Sequence, residues 1–119
     1  MIEVRRHSDG IKITGHAKYA EPGKDIVCAG ISTLAQTLIQ SIEDLTKDNI
    51  QYDISPGRVD IKYGNLSERG QLLIDSFFLG ANMIANSYPQ YVRIDAQALM
   101  AIKAMEQKAC DSFKKSERV

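Results

Sequence analysis

Apolar residues in this chain change their spacing twice in the same order, from every second residue to every third or fourth. Residues 2–6 and 11–16 alternate apolar and polar side chains around an Asp-Gly turn sequence, which predicts a β-hairpin. From Asp25 the apolar residues fall three and four apart, which predicts a helix that ends near residues 47–49. Asp25 is the predicted N-cap, because its carboxylate can accept unpaired amide hydrogens of the first turn.

The second half of the chain repeats this order of patterns. Residues 50–54 and 59–63 alternate again on either side of a Ser-Pro-Gly turn, which predicts a second hairpin. A helix is predicted over residues 67–87, since the proline that follows ends it. Residues 91–95 predict a short fifth strand, and residues 96–115 predict a third helix.

These patterns predict an α+β fold. We expect a two-layer sandwich in which helices cover one face of a mainly antiparallel sheet of ββαββα order, followed by an extra C-terminal helix. A chain of 119 residues is long enough for one domain whose core needs neither a disulfide nor a metal. We assign residues 1–95 to that domain and residues 96–119 to a helical extension.

Charge and hydropathy argue against several classes of function. Fifteen basic residues balance fifteen acidic ones, which is unlike a fold-wide basic surface for nucleic acid. No stretch approaches the ~18 consecutive apolar residues of a membrane span, and the first residues lack the apolar run of a signal peptide. The two cysteines, Cys28 and Cys110, are expected to stay reduced. We therefore expect a cytoplasmic protein without direct contact to nucleic acid or membrane.

The candidate chemistry lies in residues 15–32, GHAKYAEPGKDIVCAGIS. Cys28 falls in the first helical turn, where unpaired amide hydrogens and the positive end of the helix dipole favour a thiolate, the reactive form. His16, at the end of a predicted strand, can act as its base, whereas His7 lies at the far end of the hairpin. Strand alternation puts His16 on the face opposite the isoleucines of its strand.

Several residues of this segment have two possible roles. The amide hydrogens of Cys28 and Ala29 could form an oxyanion hole. Ser32 shares the helix face of Cys28 and is either a hydrogen-bonding site residue or a plain polar residue. Asp25 either caps the helix or orients His16, and capping is the commoner role. A buried cysteine at the start of a helix is, in most proteins, only a small apolar residue, and this is the alternative role of Cys28. Two cysteines and two histidines lack the spacing of a zinc site, so no metal or cofactor is predicted.

Two sequence blocks are distinctive: Gly15-His16-Ala17 and, after a loop with Gly23, Asp25-Ile26-Val27-Cys28-Ala29-Gly30 with Ser32. They resemble the ribosomal-processing cysteine proteases of bacteria, and the similarity continues loosely over roughly residues 1–95. The resemblance implies a catalytic dyad of His16 and Cys28, with Asp25 and Ser32 in support. It also implies a mobile substrate loop, which here contains Tyr19, Pro22, Gly23 and Lys24.

The resemblance further implies a substrate and an assembly. Such proteins are small homodimers that remove the N-terminal extension of large-subunit ribosomal protein twenty-seven by cleavage after a pair of phenylalanines. The alternative is a non-catalytic, ribosome-associated factor that holds an extended peptide along the same groove. The helical extension departs from the family pattern, which leaves the oligomeric state open.

Overall fold

The helices and strands follow the predicted order, and the predicted α+β class is confirmed. The structure, a computed structural model, describes residues 1–116, with the side chains of residues 1–105 and Gln107; residues 117–119 and the side chain of Cys110 lie outside the described residues. The elements are β1 Ile2–His7, β2 Gly10–Thr14, α1 Ile26–Leu45, β3 Ile50–Ser55, β4 Arg58–Tyr63, α2 Glu68–Ser87, β5 Val92–Ile94 and α3 Ala96–Ser116.

The five strands form one sheet in the order β3-β4-β2-β1-β5. Every neighbouring pair is antiparallel except β1 and β5, which run parallel, so the sheet is mixed but mostly antiparallel. Val4 lies opposite Ile13, and Ile11 lies opposite Ile61. Since residues directly opposite each other point to the same side, this register collects the apolar side chains on one face. The other face carries charged residues of the same strands, such as Glu3, Lys12 and Lys62.

The helices pack against the apolar face of the sheet. Apolar side chains from all three helices join those of the strands in one buried cluster, in which Ile74 and Phe78 of α2 are completely enclosed. Helices α1 and α2 approach closely where Gly80 faces Leu34, because a Cβ at Gly80 would lie 3.0 Å from a terminal carbon of Leu34. The crossing therefore holds α1 firmly over the sheet, and with it the residues at the start of α1.

Helix α1 is the one helix in the described part of the chain that is long and apolar enough to cross a membrane. Six of its side chains lie in the core: Val27, Ile31, Ala35, Leu38, Ile39 and Ile42. Threonine, glutamine and serine residues occupy much of its outer face. This amphipathic division is typical of a core helix that covers a sheet.

Helix α3 is joined to the sheet at its first turn. Asp95 accepts a hydrogen bond from the N–H of Ala98 at 2.9 Å, and its carboxylate also accepts from the N–H of Arg6 in β1. Ala98 and Ile102 are buried in the common core. The boundary between a domain at residues 1–95 and an extension from residue 96 stays a prediction, although the first turns of α3 share that core.

Candidate active site

His16 lies beyond the end of its predicted strand. Strand β2 ends at Thr14, and Gly15 has a φ of 95°, a left-handed conformation that favours glycine. This turn interrupts the alternation of side chains. His16 consequently lines the same cavity as Ile13, on the side of the sheet that carries the helices. The prediction that His16 lies on the face opposite the isoleucines is wrong for this reason.

Cys28 lies in the first turn of α1, as predicted. Asp25 is the N-cap, with an extended backbone, and its Oδ1 accepts a hydrogen bond from the Cys28 N–H at 2.9 Å. The thiol is free and half-buried, and it packs against the core. The side chain is thus held on a rigid element and remains open to a ligand.

The carboxylate of Asp25 binds backbone groups of both the helix and the preceding loop. Oδ1 accepts from Cys28, whereas Oδ2 accepts from the N–H of Tyr19 at 3.0 Å and from that of Ala20 at 3.4 Å. The hydrogen bond from Cys28, with smaller contributions from the loop amides, lowers the pKa of Asp25, and burial opposes this shift only in part. Capping is the role that the geometry supports, because no hydrogen bond joins Asp25 to His16 in the described part of the chain.

Both predicted oxyanion donors are already engaged. The N–H of Cys28 donates to the Asp25 carboxylate, and the N–H of Ala29 donates to the Asp25 carbonyl oxygen at 3.0 Å. The second bond is an ordinary helical hydrogen bond. Stabilisation of an oxyanion by these amides therefore requires a rearrangement at the start of α1.

The predicted substrate loop is attached to the protein at both ends. Lys18 has a φ of 56°, which redirects the chain, and the ring of Tyr19 then contacts two other rings edge-on. Its centroid lies 5.4 Å from that of Tyr88 and 5.2 Å from that of Tyr91. Between Tyr19 and Asp25 the chain makes a turn, in which the N–H of Lys24 donates to the carbonyl of Glu21. The periodicity of the sequence did not reveal the two tyrosine partners, which come from the distant end of α2.

Two cavities meet at the candidate catalytic residues. One, of about 420 Å³, lies between α1, the sheet and the β3–β4 turn. The other, of about 810 Å³, lies between α1 and the loop that contains Pro22, Gly23 and Lys24. The residues that line both are His16, Cys28 and Ser32. The structure thus brings the predicted dyad and Ser32 to one junction. In the part of the chain that the structure describes, no hydrogen bond joins the imidazole to the thiol.

Sequence reasoning missed the contribution of the β3–β4 turn to the site. Pro56, Gly57 and Arg58 line the smaller cavity opposite α1. The Ser-Pro-Gly signal predicts a turn but contains no information about what the turn contacts. Among the described residues, no group of three or more His, Cys, Asp or Glu side chains is arranged to hold a metal ion.

The family model described as cysteine protease Prp matches residues 1–93. The ribosomal processing cysteine protease Prp of Staphylococcus aureus strain Mu50 is 30% identical over 84 residues, which cover 68% of this chain and 79% of that protein. The protein of the same name from Bacillus subtilis strain 168 is 27% identical over 103 residues, covering 76% of this chain and 89% of that one.

A solved structure shares the fold. The crystal structure of the ribosomal processing protease Prp from S. aureus, in complex with a covalently linked product peptide, aligns with a TM-score of 0.72 at 22% identity. The alignment covers 79% of this chain and 95% of that chain.

Proposed function

The chain belongs to the cysteine protease Prp family, and we propose that it is a thiol endopeptidase that removes the N-terminal extension of large-subunit ribosomal protein twenty-seven. Cleavage after a pair of phenylalanines would release the mature end of that protein and so support ribosome assembly. The curated relatives carry the name ribosomal processing cysteine protease, and a related structure holds a product peptide, which supports a peptide substrate.

One observation carries the proposal: His16 and Cys28 lie where two cavities meet. An endopeptidase must hold peptide on both sides of the bond that it cuts, so its nucleophile needs binding space in two directions. The smaller cavity has an apolar lining that includes Ile2, Ile13 and Ile31, and an aromatic side chain of the substrate is a suitable occupant. The larger cavity lies under the loop, which would close over the bound peptide.

The proposed chemistry uses one thiol and one imidazole. The sulfur of Cys28 attacks the scissile carbonyl while His16 accepts the thiol proton. The tetrahedral intermediate then loses its amine, and the imidazolium donates that proton to the leaving nitrogen. Water, activated by the same imidazole, hydrolyses the thioester and restores the free thiol. The positive end of the α1 dipole stabilises negative charge on the sulfur before the attack.

Two further roles belong to this mechanism. The amide hydrogens of Cys28 and Ala29 remain the proposed oxyanion donors, on condition that substrate binding releases them from Asp25. The hydroxyl of Ser32, which lines both cavities, is proposed as a hydrogen-bonding partner within the cleft. Asp25 acts by fastening the loop to the start of α1.

We also propose a cytoplasmic homodimer. A ribosomal protein substrate and a nucleophile that must stay reduced support the compartment. Tyr52 and Ile54 support a second copy: both point to the apolar side of β3, at the edge of the sheet, and they are 48% and 47% exposed. Light scattering at several concentrations would measure the mass. A monomer at micromolar concentration would contradict the dimer.

A peptide cleavage assay tests the enzymatic proposal. The substrate is a peptide that carries the N-terminal extension and the two phenylalanines, and mass spectrometry locates the cut. We expect Cys28→Ala to abolish cleavage and His16→Ala to lower kcat roughly 100- to 10,000-fold, the range of a lost general base. His7→Ala and Cys110→Ala are the matched controls, and each should keep the parental rate. A peptide that binds but is cleaved neither by the parent nor by its controls would favour the non-catalytic factor.

A further inference from the structure

The turn between β3 and β4 contacts the segment that carries His16. Gly57 has a φ of 72°, and its carbonyl oxygen accepts a hydrogen bond from the N–H of Gly15 at 2.9 Å. This bond continues the pairing of β2 with β4, in which Thr14 lies opposite Arg58. The residue immediately before His16 is therefore tied to the tip of the second hairpin.

The imidazole of His16 lies against the α-carbon of Gly57. A Cβ built on Gly57 would lie 2.7 Å from Nε2, 3.1 Å from Cε1 and 3.3 Å from Cδ2 of that ring. Real Cβ atoms do not approach other heavy atoms as closely as the first of these distances. Any side chain at this position would have to displace the Nε2 end of the ring.

We infer that Gly57 is a positioning residue for His16. The histidine is exposed, at the start of a loop, and among the described residues its imidazole makes no hydrogen bond that would hold the ring in one rotamer. The turn forms a wall on one side of the ring and keeps it at the junction of the two cavities, with Cys28 on the facing helix. Glycine is required at position 57 for two reasons: the turn has a positive φ there, and the ring of His16 occupies the space that a side chain would need.

This inference rests on the proposed function, because positioning matters for catalysis only if His16 is the base. It makes the β3–β4 hairpin part of the active site, although the hairpin contributes no reacting group. Misplacing a catalytic group by about 1 Å can lower the rate on the order of 100-fold.

The principal test is a double-mutant cycle with Gly57→Ala and His16→Ala in the peptide cleavage assay. We expect Gly57→Ala alone to lower kcat roughly 10- to 100-fold with a smaller effect on KM, since the isoleucines that line the same cavity are unchanged. In the His16→Ala background the same substitution should have no further effect on kcat, because there is no ring left to displace. An equal loss in both backgrounds would show a general structural effect and would overturn the inference.

Nuclear magnetic resonance of the two histidines gives a readout that does not depend on activity. The ring signals of His16 should shift in Gly57→Ala, whereas those of His7, at the opposite end of β2, should not. Unchanged His16 signals would overturn the inference even if cleavage falls. If His16→Ala retains full activity, the proposed function fails, yet these signals still decide whether Gly57 holds the ring.

Three further variants separate ring displacement from loss of folding. Gly57→Asn tolerates positive φ better than alanine but adds the same Cβ, so it should lower kcat as much as Gly57→Ala with a smaller loss of stability. Gly64→Ala, at the other end of β4, has no atom within 4 Å of its added Cβ and should keep the parental rate. Gly23→Ala, with a φ of 87° and open space around it, measures the stability cost of positive φ alone. Parental kcat in a folded Gly57→Asn would contradict the inference.

Discussion

The Oδ1 atom of Asp25 accepts a hydrogen bond from the backbone N–H of Cys28 at 2.9 Å, so the helix cap is bound to the amide of the proposed nucleophile. The other carboxylate oxygen accepts a hydrogen bond from the N–H of Tyr19 at the beginning of the predicted substrate loop. One ionised side chain thus fixes both the cysteine and the loop. A movement of the loop that breaks the hydrogen bond from Tyr19 to Asp25 will therefore also change the surroundings of the Cys28 amide at the start of α1.

This carboxylate should make the start of α1 sensitive to acid. Hydrogen bonds, chiefly from Cys28, lower the pKa of Asp25 in the folded state. Its contribution to stability is therefore complete above its usual pKa of 3.8 and is lost as the pH falls through the lowered value. We expect the difference in unfolding free energy between the parent and Asp25→Asn to narrow between about pH 5 and pH 2, because asparagine still caps but does not titrate there.

Urea unfolding at a series of pH values measures this difference. Asp44→Asn, on the exposed side of the same helix, is the control for removal of a carboxylate that does not cap the helix. A parent–Asp25→Asn difference that is constant or grows toward low pH would contradict the capping role.

Alkylation of Cys28 should depend on His16. Cys110→Ala leaves Cys28 as the single cysteine, so the rate of modification by iodoacetamide reports on that thiol alone. We expect His16→Ala in this background to slow modification at neutral pH by at least about tenfold, because the imidazole no longer accepts the thiol proton. His7→Ala should leave the rate unchanged. A parental rate in His16→Ala would argue that the ring does not act on the sulfur.

The loop should loosen when Tyr19 loses its ring. Each of its two edge-on contacts, with Tyr88 and Tyr91, is of a kind worth about 0.5–1.5 kcal/mol beyond area burial. We expect Tyr19→Ala to speed tryptic cleavage after Lys18 and Lys24 roughly tenfold, because local opening becomes easier. Tyr19→Phe keeps both ring contacts, so trypsin should cleave it at the same rate as the parent. Equal rates of tryptic cleavage for Tyr19→Ala and Tyr19→Phe would show that the ring contacts do not restrain the loop.

The core beneath the site should depend strongly on Phe78. This ring is fully buried, meets Phe77 edge-on at 5.1 Å and lies 4.7 Å from the guanidinium carbon of Arg6. We expect Phe78→Ala to lower the free energy of unfolding by about 3–5 kcal/mol, since it leaves a cavity. Leu72→Ala on the same helix, where the side chain is 69% exposed, should change it by less than about 0.5 kcal/mol. Chemical denaturation measures both, and similar losses would contradict this account of the core.

Local patterns were enough to predict most of the elements and the start of α1. Alternation and turn residues predicted both hairpins, and the change of period at Asp25 predicted the cap three residues before Cys28. A cap and its amide partner lie within one helical turn, so the chain needs no distant segment to bring them together. For the same reason the candidate nucleophile could be recognised from the sequence.

The surroundings of His16 required the tertiary structure. The positive φ of Gly15 turned the histidine to the helical side of the sheet, and strand order alone brought Gly57 against its ring. Tyr19 likewise meets Tyr88 and Tyr91 because β5 pairs with β1 and carries the end of α2 to the loop. The periodicity of a segment shows which of its side chains share a face. It does not show which segments become neighbours, because that depends on how all of them bury one common core. The chain by itself therefore specified the candidate reactive groups, while only packing decided what positions them.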